Sequence, residues 1–372
     1  MLAFGACIAF GHLAAQISSP AAPVAAAQPA RDYPVQPVPF TSVRITGGFW
    51  KTKQDINREV TIPFAFQQCE ESGRLKNFDL AAEVMRRRAA GEKNFQINPP
   101  TQNPFDDTDV YKSIEAASYV LSMGPNPALE KKVDEWIQTC RSGPGAGWLP
   151  LHLPHHAPGY RRPQMGGNKG DFWENDPKLS HELYDAGHLY EAGVAYYQAT
   201  GKRTLLDVCL RRGGAATLAH LWRCGGAGGF APGHQIVEMG LVKLYPSQGD
   251  QRWLQLAKTF LDNRGPGGSE YNQMHKLVTD QDTAVGHAVR ANYMYSGMAD
   301  VAALTGDPRY FTAINKIWDN VSFQKTLYHR RGRRAPQWRS LRGRLPDYRP
   351  MLTTKPALPL RLCSGITRRR PS

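Results

Sequence analysis

The chain has 372 residues, 41% of them apolar and 21% charged, with six cysteines and a formal net charge of +14. No run reaches the roughly twenty apolar residues of a transmembrane helix, and no Cys-Cys or CxxC pair offers a compact thiolate metal site. The charge does not point to nucleic acid, because thirteen basic residues between Thr326 and Ser372 face the single acid Asp347; this tail carries +12 and leaves only +2 for the rest.

In chain order, MLAFGACIAFGHLAAQ is apolar enough for a signal h-region and AAPVAAAQPA offers small-residue cleavage sites, although a positive n-region is missing. Residues 1–30 are read as an export signal, cleaved after Ala27 or Ala30, and 31–40 as a Pro/Ala-rich linker. Export predicts a secreted or periplasmic protein; without a signal it would be cytoplasmic. One helical domain is expected over 41–325. Within it FDDTDVYK precedes a helix running through Tyr111 to Leu121, for which Asp107 or Thr108 is the N-cap. Two stretches, Gly147 to His156 and Arg212 to Gly228, break the pattern. They are either Gly- and Pro-rich loops or places where the reading frame is lost and regained.

From His181 the pattern is strongest. Gly187-His188 opens a segment in which Leu189, Ala192, Val194, Ala195 and Tyr196 recur at helical spacing until Thr200-Gly201-Lys202, and a second helix starts at Arg203. The same grammar returns twice. Gly233-His234 precedes IVEMGLVKLY and a Gln248-Gly249-Asp250 turn, and Gly286-His287 precedes VRANYMYSGMADVAALTGD with its turn at Gly306-Asp307. Units of helix, Gly turn and helix cannot bury their apolar faces singly, so they stack into an open solenoid or a closed α/α toroid. Gly-His at equivalent helix starts favours the toroid, since it brings the imidazoles to one end of a central cavity. The alternative is that each His only caps or packs its own helix.

Several long segments, SVRITGGFWKTKQDINREVTIPFAFQQCEESGRLKNF, FDDTDVYKSIEAASYVL, HELYDAGHLYEAGVAYYQATGKRTLLD, PGHQIVEMGLVKLY and DTAVGHAVRANYMYSGMADVAALTGD, resemble glycoside hydrolase family 127 from about Thr41 to Val321. The resemblance implies an all-α fold, an (α/α)6 barrel, with β-sandwich domains after it. It also implies β-L-arabinofuranosidase activity by a zinc-bound cysteine thiolate nucleophile and a glutamate acid/base. After Val321 the text changes to LYHRRGRRAPQWRSLRGRLPDYRP, with neither helical nor strand periodicity. Reading codons one base later from His329 permits TGGVGARHNGEAFG, and the remaining frame from Pro350 permits NAYDETCAAIA; both resemble the family's next motifs. The tail 326–372 is therefore read as an out-of-frame, disordered segment and the barrel as incomplete at its C-terminal end.

On that reading the acid/base Glu and the zinc ligands are not encoded, so no catalytic residue and no metal ligand is assigned in this chain. Cys69 and Cys209 lie in apolar-periodic segments and read as core residues, while Cys363 falls in the tail. What remains is sugar recognition. Asp107 and Asp109 are short carboxylates suited to accept hydrogen bonds from vicinal hydroxyls. His181, His234 and His287 match family positions expected to line the arabinose pocket, where neutral imidazoles donate and accept. Glu182 supports the helix start; Phe172, Trp173 and Tyr184 offer stacking surface or plain core. The expected partner is a carbohydrate, with no nucleic acid, no membrane span and no sign of oligomeric state. A noncatalytic helical-repeat module that binds a glycan or a protein is the other class of function.

Overall fold

A computed structural model describes residues 38–92, 95, 98–101, 103, 105–141, 181–210 and 230–325. The expected export signal, most of the linker, Gly147 to His156, Phe172, Trp173, Arg212 to Gly228 and the basic tail lie outside the described residues, as do Cys7, Cys224 and Cys363. The described residues are all-α, with no strand among them. Their helices in chain order are α1 (Gly48–Ile56), α2 (Ile62–Glu71), α3 (Lys76–Ala89), α4 (Thr108–Leu121), α5 (Pro127–Arg141), α6 (Glu182–Thr200), α7 (Thr204–Val208), α8 (Val237–Gln248), α9 (Gln251–Asp262), α10 (Ala288–Thr305) and α11 (Pro308–Asp319). No helix among the described residues is long and apolar enough to cross a membrane.

The helices divide into two kinds, and the division follows from their sequences. In α6 every residue from Glu182 to Tyr196 is buried, so this helix is enclosed on all sides. By contrast α9 buries Trp253, Leu256, Ala257, Phe260 and Leu261, and α11 buries Tyr310, Ala313 and Ile317, one stripe each at helical spacing with polar residues outward. Helices α4, α6, α8 and α10 pack side by side in that order, with α5, α7, α9 and α11 paired to them. This is the paired-helix layering of an (α/α) barrel, inner helices parallel and outer ones returning.

Local chemistry sets the returns. Helices α6, α8 and α10 each end on a glycine in the left-handed region, Gly201 (φ 75°), Gly249 (φ 70°) and Gly306 (φ 71°), as a C-terminal cap prefers. Asp250 and Asp307 then cap the outer helices, accepting from the backbone N–H of Arg252 and Arg309, each at 3.0 Å. The predicted Gln248-Gly249-Asp250 and Gly306-Asp307 turns are thus where the sequence placed them, and the second helix of the first unit begins at Thr204.

Long-range polar ties fix the outer layer. The Tyr196 hydroxyl donates to Asp134 at 2.6 Å, and Lys202 bridges Glu130 (2.7 Å) and Asp134 (2.6 Å), joining α5 to the α6–α7 turn. Tyr310 likewise donates to Asp262 at 2.6 Å. Inside, helices approach closely at glycines. A Cβ on Gly187 would lie 2.8 Å from the Val237 backbone nitrogen, one on Gly240 would lie 2.8 Å from the Gly187 carbonyl oxygen, and one on Gly193 would meet the Cys209 sulfur.

Candidate functional site

The starts of α6, α8 and α10 meet at one end of the inner layer, and each brings a histidine. His181, His234 and His287 are 53 residues apart in both steps. Their rings form a row, with centroids 5.6 Å apart between His181 and His234 and 6.1 Å between His234 and His287. An aromatic ring stands at each end, Phe105 at 5.4 Å from His181 and Tyr271 at 5.3 Å from His287. Tyr184 lies behind the row, 4.3 Å from His234.

The repeat register read from Gly-His dipeptides needs one correction. Helix α6 starts at Glu182, so the first unit's counterpart of His234 and His287 is His181; His188 lies about two turns inside the helix. The His188 ring is fully buried against Tyr184 (4.6 Å) and Tyr293 (5.7 Å). The Gly187-His188 pair copies the dipeptide but not its place, because Gly187 serves the close approach of α6 and α8.

Two of the imidazoles have opposite polarity. Buried His234 donates from Nδ1 to the Gln235 carbonyl at 2.7 Å, which leaves Nε2 as an acceptor. His287 caps α10, its Nδ1 accepting from the Arg290 N–H at 3.4 Å, which puts its proton on Nε2. Burial holds the His234 pKa well below its ordinary value, and the nearby Arg290 guanidinium adds to the effect, so this ring is neutral at pH 7. An acceptor beside a donor suits the hydroxyls of a sugar.

The backbone at this end is strained. Among the described residues three non-glycine residues have positive φ: His181 (62°), Ile236 (147°) and Gln273 (58°). All border the histidine row or the loop carrying Tyr271, and a β-branched residue such as Ile236 is seldom found there. Buried polar contacts hold it in place. The Glu238 carboxylate accepts from Ile236 N–H at 3.2 Å and faces Arg264 at 3.5 Å, both side chains fully buried. Arg264 also donates to the carbonyls of Pro232 (2.6 Å) and Asn272 (3.2 Å).

The predicted carboxylates are engaged with protein on the α3 side. Asp107 is buried and accepts from Asn77 at 2.9 Å, while Asp109 accepts from Arg74 at 2.5 Å. Asp107 is the N-cap residue of α4, one of the two expected, although its side chain makes no capping bond, and the Thr108 hydroxyl turns back to the Phe105 carbonyl at 2.7 Å. Glu182 is buried in the first turn of α6, as expected of a residue supporting that start. Sequence reasoning missed Lys112, which donates to the Tyr184 hydroxyl at 3.1 Å, as well as Tyr271, Arg290 and Tyr293. Arg290 and Tyr293 follow His287 by three and six residues; Lys112 and Tyr271 carried no local signal.

The donor set for zinc does not fit these residues. Among the described residues no group of three or more His, Cys, Asp or Glu side chains is placed to hold a metal ion. Cys69, Cys140 and Cys209 are buried, and burial raises each thiol pKa, which disfavours the thiolate that zinc needs.

A family model described as the β-L-arabinofuranosidase GH127 catalytic domain matches residues 42–328. A non-reducing end β-L-arabinofuranosidase of Bifidobacterium longum subsp. longum is 29% identical over 320 residues, 75% of this chain and 46% of that protein. Among solved structures, a GH127 β-arabinofuranosidase is 44% identical with a TM-score of 0.65, covering 78% of this chain and 44% of that one. The GH127 β-L-arabinofuranosidase Ara127N of Geobacillus stearothermophilus T6 is 33% identical with a TM-score of 0.60, covering 76% and 45%. The chain thus spans less than half the length of these relatives. It belongs to the GH127 family of β-L-arabinofuranosidase-type glycoside hydrolases.

Proposed function

We propose that the described residues form the sugar-recognition half of a glycoside hydrolase site that takes a non-reducing terminal arabinofuranoside of a plant-type glycan. The row of His181, His234 and His287 carries this reading. Three imidazoles from three separate helix hairpins converge on one end of the inner layer, and two of them have fixed and opposite hydrogen-bonding polarity. Asp107 and Asp109 are read as accepting sugar hydroxyls at the edge of the site.

Glycoside hydrolysis needs an acid for the leaving oxygen and a nucleophile or base on the other face of the ring. Neither is assigned among the described residues, and the frame reading places both outside this chain's coding. The 372-residue chain is accordingly read as binding its sugar without cleaving it and without holding zinc, and as exported. Calorimetric titration with methyl β-L-arabinofuranoside is expected to show binding that His234→Ala abolishes, with no p-nitrophenol released from the p-nitrophenyl arabinofuranoside. Absence of binding would overturn the recognition reading; zinc-dependent release would overturn the inactive one.

A further inference from the structure

We infer that Lys112 is a positioning residue of the sugar site, its ammonium holding in place the two aromatic rings between which His181 stands. This rests on the reading of the histidine row as the sugar site.

His181 is the member of the row most in need of support. It enters the row from a left-handed backbone (φ 62°), a conformation that costs a non-glycine residue energy and persists only where its surroundings fix it. Two rings flank its imidazole. Phe105 stands 5.4 Å away at 60°, and Tyr184 stands 5.8 Å away at 88°.

Both rings trace back to one ammonium. Lys112 Nζ donates to the Tyr184 hydroxyl at 3.1 Å, tying α4 to α6 across 72 residues of chain. It also donates to the Thr108 hydroxyl at 2.9 Å, and that hydroxyl donates to the Phe105 carbonyl at 2.7 Å. One bond therefore ends on the first flanking ring, and the other, through Thr108, on the backbone of the second. Tyr184 also packs on His234 at 4.3 Å and on buried His188 at 4.6 Å, so a second member of the row feels its orientation. A buried tyrosine hydroxyl usually finds a partner, and a charged donor makes the stronger bond.

A lysine at this place on a helix would ordinarily pair with the carboxylate one turn back, which is Asp109. The Lys112 ammonium is 4.0 Å from it, at the limit of an ion pair, and Asp109 is engaged by Arg74 at 2.5 Å. The ammonium is turned instead to two neutral hydroxyls. Its side chain is 26% exposed, and a cation so enclosed is costly unless its hydrogen bonds are made. Rings fixed before a ligand arrives spare binding the cost of ordering them. Lys112 thus acts on the sugar through His181 and not by touching it.

Titration of the full chain with methyl β-L-arabinofuranoside tests this in wild type, Lys112→Met, Tyr184→Phe and the double variant. Lys112→Met keeps an unbranched stem without the donor, and affinity should fall about ten-fold, the size of one charge-assisted bond. Lys112→Arg, which keeps a cationic donor, should recover most of that loss. The double variant should bind no more weakly than Lys112→Met, because both changes break the same contact. Proton–nitrogen NMR correlations of the His181 ring should move in Lys112→Met while those of His287, at the far end of the row, stay; a general loosening of the fold would move both. Wild-type affinity in Lys112→Met, or unmoved His181 signals, would overturn the positioning role alone. So would losses that add in the double variant, which would mean that the ammonium meets the sugar itself. If wild type binds no sugar, the histidine-row reading fails and this role with it.

Discussion

Replacing Gly187 by alanine tests the link between helix packing and the histidine row. A Cβ at Gly187 would lie 2.8 Å from the Val237 nitrogen, 2.9 Å from the Ile236 carbonyl carbon and 2.9 Å from Ile236 Cγ2, against ordinary contact at 3.4–4 Å. Two of these are backbone atoms that cannot rotate away, so α6 and α8 must part by roughly 0.5–1 Å, at an overpacking cost of about 1–3 kcal/mol. Alanine's better helix propensity returns about 1 kcal/mol at this interior position. The net loss is up to about 2 kcal/mol, a fall in the thermal midpoint of up to roughly 4–8 °C for a domain of this size. Gly297→Ala is the control. Its Cβ would lie 3.2 Å from the Glu238 side-chain Cβ and at ordinary contact, 3.7 and 3.9 Å, from the Met239 nitrogen and the Glu238 carbonyl carbon, so the same propensity gain faces a milder contact. Thermal melting by circular dichroism of the two variants, with sugar titration alongside, decides the matter. Gly187→Ala should melt lower than Gly297→Ala and bind sugar more weakly, because Ile236 adjoins His234. If Gly187→Ala melts at or above wild type, the close approach does not constrain the site and the reasoning fails.

Three further outcomes are expected. His234 titrates lower in the folded protein than its ordinary 6.5, so it contributes nothing to the pH dependence above that value. Below about pH 6.5 the unfolded chain takes the proton first, and stability falls by up to about 1.4 kcal/mol per pH unit until the folded ring is protonated. Denaturant melts from pH 7 to 5 should show a shallower loss for His234→Gln than for wild type; identical slopes would refute the assignment. Arg264→Met removes the counter-charge of the buried Glu238 carboxylate and the side-chain donor of the Pro232 carbonyl, and should cost about 3–5 kcal/mol, whereas a melting point near wild type would show that the pair is solvated. Cys69, Cys140 and Cys209 should resist alkylation at pH 8 until the protein unfolds, as read by site-resolved mass spectrometry, and rapid native-state labelling of any of them would contradict their burial.

The hairpins were legible because their punctuation is local. A left-handed glycine followed by an aspartate cap can be read from a few residues at Gly249-Asp250 and Gly306-Asp307. The register of the first unit was misread because Ser180, and not Gly, precedes His181, while a Gly-His dipeptide inside the helix imitates a start. The convergence of His234 and His287 followed from the repeat, and the resemblance supplied His181. What the sequence hid is set by distant partners. Asp109 pairs with Arg74, 35 residues earlier, and Asp107 with Asn77, 30 earlier, and nothing near either aspartate announces it.

The equal spacing of the three histidines also bears on the order of folding. Each hairpin closes through a turn of a few residues, so its contacts are near in sequence and can form quickly, whereas the histidine row closes loops of 53 residues twice over. Hairpins can form while the row is still open, and the row is complete only when all three inner helices have docked. Sugar binding therefore reports tertiary assembly where helical circular dichroism reports only secondary structure, and a refolding experiment that follows both should see the ellipticity recover before the affinity.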